Sequence, residues 1–157
     1  MDHRLCVRAD SCILNNTHFC PDKVLPVEGT PFDFRTPHRV DYRIDQRDPQ
    51  LEIMRGMSAC WSLSGYDGSL RSVAVLYEPR SGRRVETWTT EPALLTYTGR
   101  LFHEGMLGKY GPLEKFGGML LETLHFPDSP NQPRFPSTVL RPGEKYHSVT
   151  EWHFSSE

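Results

Sequence analysis

Ser72-Val-Ala-Val-Leu-Tyr77, stopped by Pro79 and Ser81-Gly82, then Arg84-Val-Glu-Thr-Trp-Thr-Thr90, stopped by Glu91-Pro92, is the stretch that decides the fold. Both runs are rich in β-branched and aromatic residues, short, and bounded by turn formers, so they read as the arms of a β-hairpin. Further out, Gly118–Phe126 is a mostly apolar strand that ends before Pro127. Lys145–Phe154 follows the turn Arg141-Pro-Gly-Glu144, and its alternation puts Tyr146, Ser148, Thr150, Trp152 and Phe154 on one face. Thirteen prolines and twelve glycines in 157 residues cut the chain into short pieces. Only Arg39–Gln46 has a helical look, with Pro49 expected to close it. The charged segment Arg39–Met57 is expected to be a long surface connection. Short strands punctuated by Pro and Gly indicate an all-β protein, a sandwich or open barrel with few or no helices.

Length and charge narrow the function. The 157 residues fit a single domain, 1–157, with room for a real core. Eighteen Lys+Arg against twenty Asp+Glu leave a net charge of −2. Nucleic acid and anionic membrane surfaces are therefore not expected as partners, because both want a basic excess on one face. No apolar run approaches the length of a bilayer-spanning helix. Met1–Asp10 has no apolar core of the secretory type, so the expected location is cytoplasmic. Cys6, Cys12, Cys20 and Cys60 form no close pair of the zinc-binding kind, and His18 beside Cys20 does not complete one; no metal site is expected. The expectation is reduced thiols, some of them buried as small apolar groups.

One region is distinctive beyond composition: Leu121-Glu-Thr-Leu-His-Phe-Pro-Asp-Ser-Pro-Asn131, Phe135-Pro-Ser137 and Leu140-Arg-Pro-Gly-Glu-Lys-Tyr146. It resembles the C-terminal signature of the aldose 1-epimerases (galactose mutarotases). Val27-Glu-Gly-Thr-Pro-Phe-Asp-Phe-Arg35, Ser81-Gly-Arg83, Thr89-Thr-Glu-Pro92 and Tyr97-Thr-Gly99 resemble further motifs of that family in the same order. The strand Asp2-His-Arg-Leu5 with Ala9-Asp10 fits the segment leading into the first of these. The resemblance implies that residues 1–157 form the C-terminal part of a large antiparallel β-sandwich of the galactose mutarotase kind. It also implies interconversion of the α and β anomers of a free hexose by acid/base proton transfer, with no cofactor.

The implied base is Glu122, at the position of the family's glutamate in Leu-Glu-Thr-Gln. By alternation it shares a strand face with Leu120 and Leu124, an apolar setting expected to raise a carboxyl pKa. Three departures matter. The family's acid, a His in an Asn-His-x-x-Phe-Asn motif, belongs to a segment that precedes the matched part, so the acid is expected to be missing here. In Gly56-Met-Ser-Ala-Cys-Trp-Ser-Leu63, Ser58 stands where the family has a sugar-binding Asp, and a hydroxyl grips a sugar less firmly than a carboxylate. Asp67 is the alternative for that lost carboxylate. Leu124 replaces the family's Gln. His125 is expected to point away from the Glu122 face, with His147 and His153 opposite the aromatic face of the last strand. Trp61, Trp88 and Trp152 are expected in the core rather than as sugar platforms. Three functions follow: an epimerase, a non-catalytic carbohydrate-binding or interaction remnant, and a fragment whose open sheet edges need a homo-oligomer or a partner.

Overall fold

The computed structural model describes Asp2–His103 and Gly105–Ser156. Its strands are β1 (Arg4–Val7), β2 (Ser11–Asn15), β3 (Pro21–Pro26), β4 (His38–Arg39), β5 (Ser58–Ser62) and β6 (Arg71–Glu78). They continue as β7 (Arg83–Thr89), β8 (Ala93–Tyr97), β9 (Leu107–Gly108), β10 (Gly111–Pro112), β11 (Leu120–Leu124) and β12 (Thr150–Ser156). One five-stranded antiparallel sheet runs β12-β7-β6-β1-β4 and a second runs β11-β8-β5-β2-β3, with β9 and β10 forming a small separate hairpin. The expected hairpin is β6–β7, with Leu76 opposite Val85 and Tyr77 opposite Arg84. Its turn is tied by the Glu78 carboxylate, which accepts from the Arg80 and Ser81 amides at 2.9 and 2.8 Å. The strand expected at the C-terminus is shorter at its start, since the ladder with β7 begins at Thr150.

The core lies between the sheets. Leu5 and Val7 of β1 and Val73 of β6 meet Cys12, Ala59, Trp61 and Leu94 from the facing sheet, with Val27, Phe32 and Phe34 filling the gap. Trp61 is fully buried, and its indole N–H donates to the Phe32 carbonyl at 3.0 Å. Phe34 packs edge-on against it at 6.0 Å.

Two expectations about 39–57 are corrected. Arg39–Gln46 is not helical: Arg39 ends β4, and turns follow. The helix is α1 (Pro49–Met54), and Pro49 opens it rather than closing another. Asp48 is the N-cap, accepting from the Gln50 and Leu51 amides at 2.8 and 3.3 Å, and Pro at the first helical position gives up no hydrogen bond. Nor is the segment only a surface connection, because Val40, Leu51, Met54 and Met57 are buried. Of the tryptophans, Trp61 is core, Trp88 is half-buried, and Trp152 is 48 % exposed, against expectation. Trp152 lies on β12, the outermost strand of the first sheet among the described residues.

Candidate functional site on the outer face of the second sheet

Strand β11 places Glu122 opposite Leu95 of β8; Leu95 is opposite Cys60 of β5, and Cys60 opposite Ile13 of β2. The next row along is Leu120, Tyr97 and Ser58. Since Ala59, Trp61 and Leu94 point into the inter-sheet core, these two rows lie on the sheet's outer face. Glu122 and Ser58 therefore share a face, with β8 between their strands, roughly 12 Å apart at Cα from ordinary strand spacings.

The two are held differently. Glu122 is exposed, and Leu120 beside it is 42 % exposed, so the leucines flank the carboxylate without enclosing it. Ser58 is 3 % exposed and donates to the Thr96 carbonyl at 3.2 Å. Cys60 lies between them in the pattern. Its thiol is pushed up to about 12, first by burial and then by Cys12 and the Glu122 carboxylate, so it stays protonated at neutral pH. Asp67 sits in the β5–β6 loop, where its carboxylate accepts from the Ser69 amide at 2.8 Å and the Ser69 hydroxyl. Those bonds, chiefly that from the Ser69 side chain, hold it below the usual carboxylate range.

One end of the face is covered. Past β11 the chain carries Phe126 and Phe135 over Ile13, Cys60 and Ala93, the two rings meeting edge-on at 5.0 Å. Asp128, in a left-handed conformation, accepts from the Asn131 side chain at 2.6 Å, and Arg134 donates to the Asp22 carbonyl of β3 at 2.7 Å. The Pro-Asp-x-x-Asn motif thus folds a cover for the face.

Three motifs meet at one buried carboxylate. Glu91, 3 % exposed, accepts from the Tyr146 hydroxyl at 3.1 Å and faces His125 Nδ1 with its other oxygen at 2.5 Å. Arg71 donates to the carbonyls of Thr89 and Glu91, both at 3.2 Å. His125 is thereby engaged away from Glu122, as alternation expects. His153 stacks on Trp88 and pairs with Glu151 at 2.8 Å.

Tyr97 and Arg100 escaped the sequence reading. The Tyr97 hydroxyl accepts from the Leu101 amide at 2.8 Å, and the Arg100 guanidinium lies 6.0 Å from the Tyr97 ring centre. Arg100 Nε is buried with no hydrogen-bond partner among the described residues. Gly99 makes this corner possible: at φ 70° a Cβ there would meet the Phe102 ring at 2.9 Å. The Tyr-Thr-Gly motif was the available signal, but its side-chain roles depend on neighbours that alternation does not name.

The aldose 1-epimerase family profile matches residues 2–153. The chain belongs to the aldose 1-epimerase family. It is 35 % identical over 161 residues to the galactose mutarotase of Mus musculus, covering 98 % of this chain and 44 % of that protein. With the aldose 1-epimerase of Escherichia coli it shares 30 % over 159 residues, covering 99 % of this chain and 46 % of that protein. Its fold superposes on an aldose epimerase homologue from C. elegans with a TM-score of 0.82 at 22 % identity, covering 99 % of this chain and 46 % of that one. Galactose 1-epimerase from Lactobacillus acidophilus gives 0.78 at 23 %, covering 99 % and 44 %. This aldose 1-epimerase family chain thus spans less than half the length of the relatives it matches. Both sheets of the antiparallel sandwich have counterparts in those structures. Among the described residues, no helix is long and apolar enough to cross a membrane.

Proposed function

We propose that the chain carries the base half of an aldose 1-epimerase site and accelerates the interconversion of α and β anomers of a free hexose through Glu122. The observation that carries this reading is the exposed Glu122 carboxylate on the same sheet face as Ser58. Glu122 takes the proton of the anomeric hydroxyl while the ring oxygen gains one. The ring opens, the aldehyde carbon turns, and closure on the other face returns both protons. Only protons move, so the reaction asks for no metal or organic cofactor.

His125 is engaged with Glu91, and His153 with Glu151 and Trp88. With water protonating the ring oxygen, Glu122 supplies general-base catalysis worth about 10²–10⁴-fold. The half-buried Arg100 guanidinium beside Tyr97 serves as a hydrogen-bonding contact for a sugar hydroxyl, while Ser58, buried and donating to Thr96, and Asp67, committed to Ser69, are the lesser candidates. A free-hexose substrate and four unpaired cysteines support a cytoplasmic setting.

Polarimetry of freshly dissolved α-D-glucose and α-D-galactose tests the reading. Rotation is expected to decay faster with protein than in buffer, and Glu122→Gln is expected to return the rate to that of buffer. A fully active Glu122→Gln removes Glu122 from the role. A second reading, a carbohydrate-binding remnant without turnover, is favoured by the aliphatic neighbours Leu95, Leu120 and Leu124. It predicts a buffer rate at high protein concentration together with sugar-dependent shifts in the NMR spectrum.

A further inference from the structure

Among the described residues no hydrogen bond holds the Glu122 carboxylate, so the backbone of β11 sets where it stands. Glu122 and Leu124 point to the outer face, and by alternation Leu121, Thr123 and His125 point inward, towards the first sheet. Leu121 packs on the core. Thr123 and His125 instead meet polar groups of the first sheet and of the β7–β8 connection.

The Thr123 hydroxyl lies 2.6 Å from that of Thr150 on β12, and the Thr150 hydroxyl 3.1 Å from that of Thr89 on β7. Thr89 accepts from the Glu91 amide at 3.0 Å and donates to the Val149 carbonyl at 3.2 Å. Each hydroxyl has one proton to give, so that last bond fixes the order of the others. Thr123 donates to Thr150, Thr150 to Thr89, and Thr89 to Val149. The reverse order strands the Thr123 proton and forfeits the bond to Val149. Two residues past Thr89, Glu91 takes up the second inward residue of the Glu122 strand. Its carboxylate lies 2.5 Å from His125 Nδ1 and accepts from the Tyr146 hydroxyl at 3.1 Å. Thr89 and Glu91 are both buried, where hydrogen bonds are strongest and most costly to break.

We infer that Thr123 and His125 are positioning residues for Glu122. They pin β11 across the sandwich at two successive inward positions, and the pins fix the height and tilt of the carboxylate on the other side of the strand. The kinetic side of this inference rests on the catalytic reading above; the pinning itself does not. Apolar contacts alone have no direction and let a strand slide, whereas hydrogen bonds weaken steeply off their line. A base has to reach hydrogen-bond distance of the proton it takes, and a misplacement of about 1 Å can cost about 10²-fold in rate. Thr123 heads the chain of hydroxyls, donating and accepting nothing among the described residues. Thr123→Val therefore removes one pin and orphans no donor.

Polarimetry and amide hydrogen exchange on the whole chain test the pins together. Thr123→Val is expected to lower kcat about tenfold with KM unchanged. It is also expected to speed exchange of the β11 amides bonded to β8 by about tenfold. Thr123→Ser keeps the hydroxyl and is expected to retain the parent values in both measurements. His125→Ala is expected to follow Thr123→Val, and His125→Asn, whose amide can stand where Nδ1 stands, to recover. A lower urea midpoint with kcat per folded molecule unchanged would make the hydroxyl merely structural and overturn the proposal. So would a loss carried by KM, a Thr123→Ser variant no better than Thr123→Val, or β11 exchange that Thr123→Val leaves alone. Should the parent chain not outrun buffer, the catalytic reading falls and the exchange contrast decides the pinning by itself. If Thr123→Val fails to fold, the His125 pair of variants carries the same comparison.

Discussion

Strands β5 and β12 both alternate, both carry a tryptophan, and both sit in five-stranded antiparallel sheets. Yet Ser58, Ala59, Cys60 and Trp61 are all buried, whereas every residue of β12 after Thr150 is exposed. Strand β5 has β8 and β2 on its edges, the sandwich core on one face and the Phe126–Phe135 cover on the other. Among the described residues, strand β12 has only β7 beside it. Alternation assigns a side chain to a face; the number of neighbours decides whether that face is dry. The Glu122 strand stands between these extremes, with one paired edge and a face covered at one end.

The largest effect expected from this contrast separates two aromatic truncations. Trp61→Ala opens a cavity in the core and strands the Phe32 carbonyl, costing about 3–5 kcal/mol in urea unfolding. Phe154→Ala is expected to stay within about 0.5 kcal/mol of the parent. Equal losses in the two variants would break the contrast between a covered and an uncovered strand. A smaller effect is expected at the rim of the Glu122 face. Gly99→Ala forces a side chain into a left-handed corner and onto Phe102, at a cost of about 2–3 kcal/mol, and it loosens Tyr97. Tyrosine ring signals in NMR report that loosening, and an unchanged spectrum with full stability would show that the corner does not hold the rim.

The smallest effect lies on the first sheet, where Ser72 donates to Glu86 and Arg84 pairs with it at 3.0 Å. The Ser72 hydrogen bond, then Arg84, holds the Glu86 carboxyl below its usual range. A depressed native pKa gives stability that is complete above the ordinary glutamate value and is lost as pH falls through the lower native one. Ser72→Ala is therefore expected to cost about 1–1.5 kcal/mol at neutral pH, with the difference closing in acid. A pH-independent difference would assign the effect to packing alone.

The β6–β7 hairpin was legible because its residues prefer strands and its turn residues stop them, all within one local window. The face that Glu122 shares with Leu120 and Leu124 was legible because a motif supplied the position and period two the neighbours, whereas Ser58 joins that face only through the strand order across β8. Pro49 misled because proline both opens and ends helices; the deciding neighbour was Asp48, whose cap favours opening. Trp152 misled because hydrophobicity states a preference for burial and cannot supply the strand that would provide it. The Glu91 cluster was invisible for another reason: Glu91 and Tyr146 are 55 residues apart, and only the folded topology brings them together.

That separation also bears on how the protein is made. Glu91 leaves the ribosome 55 residues before Tyr146, so its carboxylate spends that stretch of synthesis without the hydroxyl that donates to it. Burying it earlier leaves an oxygen without its donor inside the protein, so docking of the sheet ends waits for the C-terminal segment. A ribosome stalled just before Tyr146 holds a chain that lacks both the hydroxyl that meets Glu91 and strand β12, so the two parts that finish this end of the first sheet arrive together.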